Sequence, residues 1–93
     1  MNTSEGLEAS IAYHWAEAYI ALEEGLYTKM YTHGLLAQQY ELALKHPDDH
    51  VIFPKLVPER IERGARIRPA LLRVARKEVG EAVRIHQERS KEK

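Results

Sequence analysis

Apolar residues recur every three or four positions through the first half of the chain. Ile11, Trp15, Ala18, Leu22, Leu26, Met30, His33, Ala37, Tyr40 and Leu44 form one seam, the signature of a helix with one face turned to a core. Nine steps cover 33 residues, about 3.67 per step, near the period of a straight helix and away from the 3.5 of a left-handed coiled coil. Proline is absent from Ser4 to Lys45. Thr3 or Ser4 can cap a helix that begins with Glu5 and Glu8, acids that favour the positive helix end. Gly25 and Gly34 weaken a continuous helix, since each costs about 1 kcal/mol against Ala. Gly34 is the preferred break, because it precedes Leu35-Leu36 and can close a helix as a left-handed cap. The pattern predicts either one helix over 5–45, or a long helix to about residue 33 followed by a short one.

The second half reads differently. His46-Pro47-Asp48-Asp49-His50 has turn composition, and Pro54 and Pro58 carry an extended connector. Val51-Ile52-Phe53 is the sole β-branched cluster, too short to make a sheet. Pro58 suits the first position of a helix, with Glu59 in its first turn. Pro69 interrupts the helical pattern beyond it, because proline lacks a backbone donor and disfavours helical geometry at Arg68. The parse is a short helix over 58–67 and a longer one from 69 to about 90, with a frayed polar tail from Glu88. Ile61, Leu72, Ala75, Val79, Ala82 and Val83 share one face, opposite Arg63, Arg66, Arg73, Lys77 and Arg84. Arg68 falls near the middle of the apolar face, where a guanidinium needs an acid of the same chain or a partner. The expected fold is all-α, one domain over 1–93: an acidic helical half (1–45), a connector (46–57) and a basic helical half (58–93), arranged as a hairpin that packs on partner subunits.

Composition narrows the chemistry. There is no cysteine, which excludes a disulfide scaffold, a thiolate nucleophile, a zinc finger and an iron–sulfur site. No apolar run approaches a membrane span, and the opening Met-Asn-Thr-Ser-Glu lacks the blocks of a signal peptide, so a soluble cytoplasmic protein is expected. Fourteen bases balance fourteen acids, yet residues 1–50 hold eight acids and two bases while residues 51–93 hold six acids and twelve bases. The halves either pack on each other or face different partners. A chain this short often needs a second subunit to complete its core.

The five histidines show no metal-ligand spacing. No serine sits in a glycine-flanked elbow, and the five glycines are isolated, so neither a triad nor a phosphate loop is present. No catalytic residue is assigned. The basic positions of the second half are interleaved with Glu59, Glu62, Glu78, Glu81 and Glu88, as on a solvated helix, which disfavours nucleic acid as a partner. Tyr13, Tyr27 and Tyr31 lie off the seam and suggest a subunit interface.

One run adds a resemblance. Leu7-Glu8-Ala9-Ser10-Ile11-Ala12-Tyr13-His14-Trp15 resembles a segment of nitrile hydratase β subunits that reads roughly Leu-Glu-Ala-Ser-Tyr-Tyr-Glu-His-Trp. Gly34-Leu35-Leu36-Ala37-Gln38-Gln39-Tyr40-Glu41 is similar to the family's next stretch, Gly-Leu-Leu-Thr-x-Glu-Glu-Leu-Glu, with about two extra helical turns between the two runs here. The resemblance spans residues 7–41 and does not extend to 46–93. It implies hydration of a nitrile to an amide, with cobalt or iron in another, cysteine-containing α subunit that carries a Cys-x-x-Cys-Ser-Cys claw. Trp15 would then bind substrate, with His14 in the shell behind it. The family's paired tyrosines fall on Ile11 and Ala12, which implies an altered substrate wall. Its claw-directed arginine motif is not recognisable, leaving Arg68 as the candidate on physical grounds. The family's barrel domain has no counterpart here, so the resemblance implies a split subunit completed by a separate β-barrel polypeptide. The sequence thus leads to a helical accessory or lid subunit of a heteromeric nitrile hydratase, a lyase, with no metal of its own. The rival is a homodimeric helical-hairpin adaptor without a catalytic role, its acidic half packed on the basic half of its twin.

Overall fold

A computed structural model describes residues 3–46 and 55–91. Among them are four α-helices and no strand: α1 (Thr3–Glu23), α2 (Tyr27–Lys45), α3 (Pro58–Ala65) and α4 (Pro69–Lys91). The all-α expectation holds. Apart from His46, the turn at 46–50 lies outside the described residues, as does the Val51-Ile52-Phe53 cluster.

The break in the first half falls at Gly25, not Gly34. Gly25 has φ +76°, donates its N–H to the Leu22 carbonyl at 3.2 Å, and is followed by Leu26, whose N–H reaches the Ala21 carbonyl at 2.8 Å. That pair of bonds is a Schellman cap, which a glycine enters without a side-chain penalty. Leu26 then serves as N-cap of α2, so three residues reverse the chain and α1 and α2 run antiparallel. Gly34 stays inside α2 for a different reason. A Cβ there would come within 2.9 Å of Val83 Cγ2 and 3.2 Å of Val79 Cγ1; its missing side chain lets α4 approach.

Helix α1 is the centre of the molecule. It packs against α2, α3 and α4, so its apolar surface is wider than one seam. Leu7, Ala9, Ala12, Ala18 and Ala21 are buried together with Ile11 and Trp15. Small residues on several sides let three helices come close, and the α1/α3 crossing is tightest at Gly64, where a Cβ would overlap the Ala9 carbonyl. Helix α4 lays Ala75, Val79 and Val83 onto the α1–α2 pair. It runs antiparallel to α2, as the Glu41–Arg76 ion pair (2.7 Å) and the Tyr31–His86 ring contact (4.6 Å) show. The acidic and basic halves therefore pack on each other, the first of the two arrangements the charge split allowed.

Two further expectations are corrected. Arg68 is exposed, because α3 ends at Ala65 and Arg68 precedes α4, where its carbonyl accepts from Leu72 N–H at 3.0 Å. A wheel drawn through both helices misplaces it. The polar tail does not fray before its end, since α4 continues to Lys91, with Arg84–Glu88 at 2.8 Å supporting its last turns.

Candidate functional site

The chemistry-bearing side chains collect where α1, α2 and α3 meet. His14 points inward from α1 and is fully buried. Its Nδ1 lies 2.9 Å from Nδ1 of His33 on α2, so one imidazole donates Nδ1–H and the other accepts through a lone pair. Both rings are therefore neutral in the simplest form of the pair. The His14 ring stacks on Tyr40 at 5.4 Å and 13°, and on His33 at 5.2 Å and 30°. Tyr13 meets its edge at 5.1 Å. Tyr40 in turn donates its hydroxyl to the Lys55 carbonyl at 2.6 Å, tying the end of the connector to α2.

Electrostatics reinforce neutrality. Burial, then His33 and Arg60, lower the His14 pKa from 6.5 to about 4. Burial also lowers that of His33, with Glu17 opposing and Lys29 and Arg60 assisting. Burial pushes the Tyr40 hydroxyl up, against the charge of Arg60. Arg60, from α3, thus acts electrostatically on all three side chains.

Among the described residues, three buried side-chain polar atoms have no hydrogen-bond partner: Ser10 Oγ, His14 Nε2 and Trp15 Nε1. All belong to six consecutive residues of α1. Ser10 and His14 lie one turn apart on α1, and His14 faces α2. Trp15 projects toward the α2/α4 junction, where its ring comes 3.9 Å from the position a Gly34 Cβ would take.

His14 and Trp15, the residues the sequence singled out, are thus adjacent but face different neighbours, and both are buried within this chain. Of the off-seam tyrosines, Tyr27 is exposed, Tyr13 packs on the histidines and Tyr31 on His86. Sequence reasoning put His33 on the apolar seam without pairing it to His14, and it gave Arg60 no role. Among the described residues no group of three or more His, Cys, Asp or Glu is arranged to hold a metal ion, and no helix is long and apolar enough to cross a membrane.

A second feature is an open groove of about 750 Å³ between α1, α2 and α4. Ile11, Leu44 and Leu72 line it, with Glu8, Lys45 and the Glu41–Arg76 pair beside them. Leu42 at its side is half exposed, as are Leu71, Val74, Ile20 and Leu26 elsewhere. No protein-family model matches the chain, and neither a curated protein nor a solved structure matches it.

Proposed function

We propose that this chain is a helical, metal-free subunit of a heteromeric nitrile hydratase or a similar hydro-lyase, supplying interface and part of the substrate wall to a partner that carries cobalt or iron. One observation carries the reading. The two runs that resemble the β-subunit segment, 7–15 and 34–41, lie on antiparallel helices and meet through His14–Tyr40 stacking and Trp15–Gly34 proximity. Runs separated by the chain reversal thereby form one structural unit.

The remaining surface is consistent with a subunit role. Large apolar side chains stay exposed on α1, α2 and α4, and the groove offers apolar area that a partner would cover. Trp15 has a polar edge without an acceptor, covered on one side by the contact of α4 with α2. On this reading assembly shifts α4, and the indole then meets substrate. A cysteine-claw α subunit and a separate β-barrel polypeptide complete the enzyme.

Co-expression with neighbouring open reading frames tests this. A chain with a Cys-x-x-Cys-Ser-Cys claw should copurify with metal and hydrate nitriles, and Trp15→Phe, which keeps most of the buried ring but loses the indole N–H, should lower that activity while leaving the complex assembled. Absence of any metal-bearing partner, or a Trp15→Phe variant that leaves nitrile hydration unchanged, would sink the proposal.

A further inference from the structure

The groove between α1, α2 and α4 unites residues that the His14 cluster does not use. Helix α4 packs more extensively on α1 than on α2, and an opening of about 750 Å³ remains beside them. Ile11 of α1, Leu44 of α2 and Leu72 of α4 line it. Leu42 stands at the same opening with 51% of its surface exposed. A leucine half in water beside an apolar depression puts a knob and a hole on one patch, which is unusual for a surface that meets only solvent. Four charged side chains frame it: Glu8, Glu41, Lys45 and Arg76. Glu41 and Arg76 satisfy each other at 2.7 Å. Glu8 and Lys45 are exposed and form no ion pair among the described residues.

We propose that this groove is the interface of a two-fold symmetric dimer, its occupant a second copy of this chain. In such a contact the same patch meets itself, so the patch must be self-complementary. This one is, in shape and in charge. Leu42 of each copy enters the groove of the other, against Ile11, Leu44 and Leu72. Glu8 of each copy faces Lys45 of the other, so both unpaired charges are matched, twice. A strongly acidic or basic partner fits less well, because two acids and two bases on the patch cancel. A purely apolar segment would cover the leucines and leave Glu8 and Lys45 unmatched at the rim. The arrangement also differs from an acidic half laid on the basic half of a twin, since those halves already pack on each other within one chain. It rests on the groove alone and survives failure of the nitrile hydratase reading.

Sedimentation of the full chain from about 5 to 500 µM, a range that brackets moderate and weak dimers, tests this. A monomer–dimer equilibrium is expected. Leu42→Lys changes a half-exposed position, so helical circular dichroism should be unaltered while the dissociation constant rises at least about tenfold. The charges test the symmetry. Glu8→Lys sets base against base across the two-fold axis and Lys45→Glu sets acid against acid, so each variant alone should dimerise more weakly than the unaltered chain. Mixed in equal amounts, the two should form a 1:1 heterodimer tighter than either homodimer, because both contacts become acid–base pairs again, and added salt should weaken that preference. A role of either residue confined to its own helix would not restore association on mixing. A chain that is monomeric throughout the range leaves the groove to its own connector or to a different protein and overturns the assignment. So does a dimer that Leu42→Lys leaves intact, or a mixture that associates no better than its components.

Discussion

His14 and His33 bond through their Nδ1 atoms at 2.9 Å in the interior of the protein, although on one straight helix nineteen residues apart they would be separated by about 28 Å. The reversal at Gly25 makes the pair, and the pair makes the hairpin sensitive to acid. Unfolded, His14 titrates near its ordinary 6.5; folded, near 4. A depressed histidine pKa means the unfolded state binds the proton first. His33, shifted in the same direction, adds to the effect. Stability is therefore full above about pH 6.5 and falls as pH drops toward 4, by up to about 3 kcal/mol from His14. Denaturant melts at pH 7, 5.5 and 4 measure this, and His14→Gln should flatten the slope. A slope unchanged in that variant would show that other groups dominate.

The contact of α4 with α2 rests on the absent side chain of Gly34. Gly34→Ala puts a methyl 2.9 Å from Val83 Cγ2 and 3.2 Å from Val79 Cγ1, both buried, and should destabilise by about 1–3 kcal/mol through overpacking. Val83→Ala alone opens a cavity and also destabilises. Combined, the two should be milder than their sum by at least about 0.5 kcal/mol, because the new methyl fills space the valine leaves. Thermal melts of the four proteins form the cycle; strict additivity would refute this contact.

Three glycines should answer an alanine differently. At Gly64 the Cβ would overlap the Ala9 carbonyl, so Gly64→Ala must push α3 off α1 and should give the largest drop in melting temperature. Gly25→Ala meets nothing within 4 Å but must adopt φ +76°, which costs about 1–2 kcal/mol. Gly80 lies in helix with open space around it, and Gly80→Ala should stabilise by up to about 1 kcal/mol. Any other order of the three melting temperatures contradicts the packing described.

Tyr40→Phe keeps the ring that stacks on His14 and removes the 2.6 Å bond to the Lys55 carbonyl. The expected loss is about 0.5–1.5 kcal/mol. Faster hydrogen exchange should be confined to the chain around Lys55 and α3. Equal acceleration in α1 would mean that the hydroxyl supports more than the connector.

Much of the architecture is legible from periodicity. Nine of the ten seam positions are buried or half-buried, and the exception, Leu26 at 47% exposure, sits in the turn that interrupts the seam. Spacing alone cannot choose between Gly25 and Gly34, since both interrupt the same apolar face. The choice depends on what each glycine touches: open space at Gly25, two valines of α4 at Gly34. Arg68 is misplaced by a single wheel for a related reason, because the wheel spans two helices whose axes are set separately at Pro69. The candidate site is half legible. His14 and Trp15 stand out in the sequence, whereas His33 becomes a partner of His14, and the Arg60 charge acts on both, only once the chain has folded back.

The sequence by itself determined that this protein is helical, where prolines start its third and fourth helices, and which faces of the second half are apolar, because these follow from backbone sterics and 3.6-residue periodicity acting locally. Tertiary structure decided which glycine turns, how far α1 is enclosed, and that two histidines nineteen residues apart share one hydrogen bond. Those outcomes depend on close approach between segments distant in the chain, and no local pattern encodes the distance.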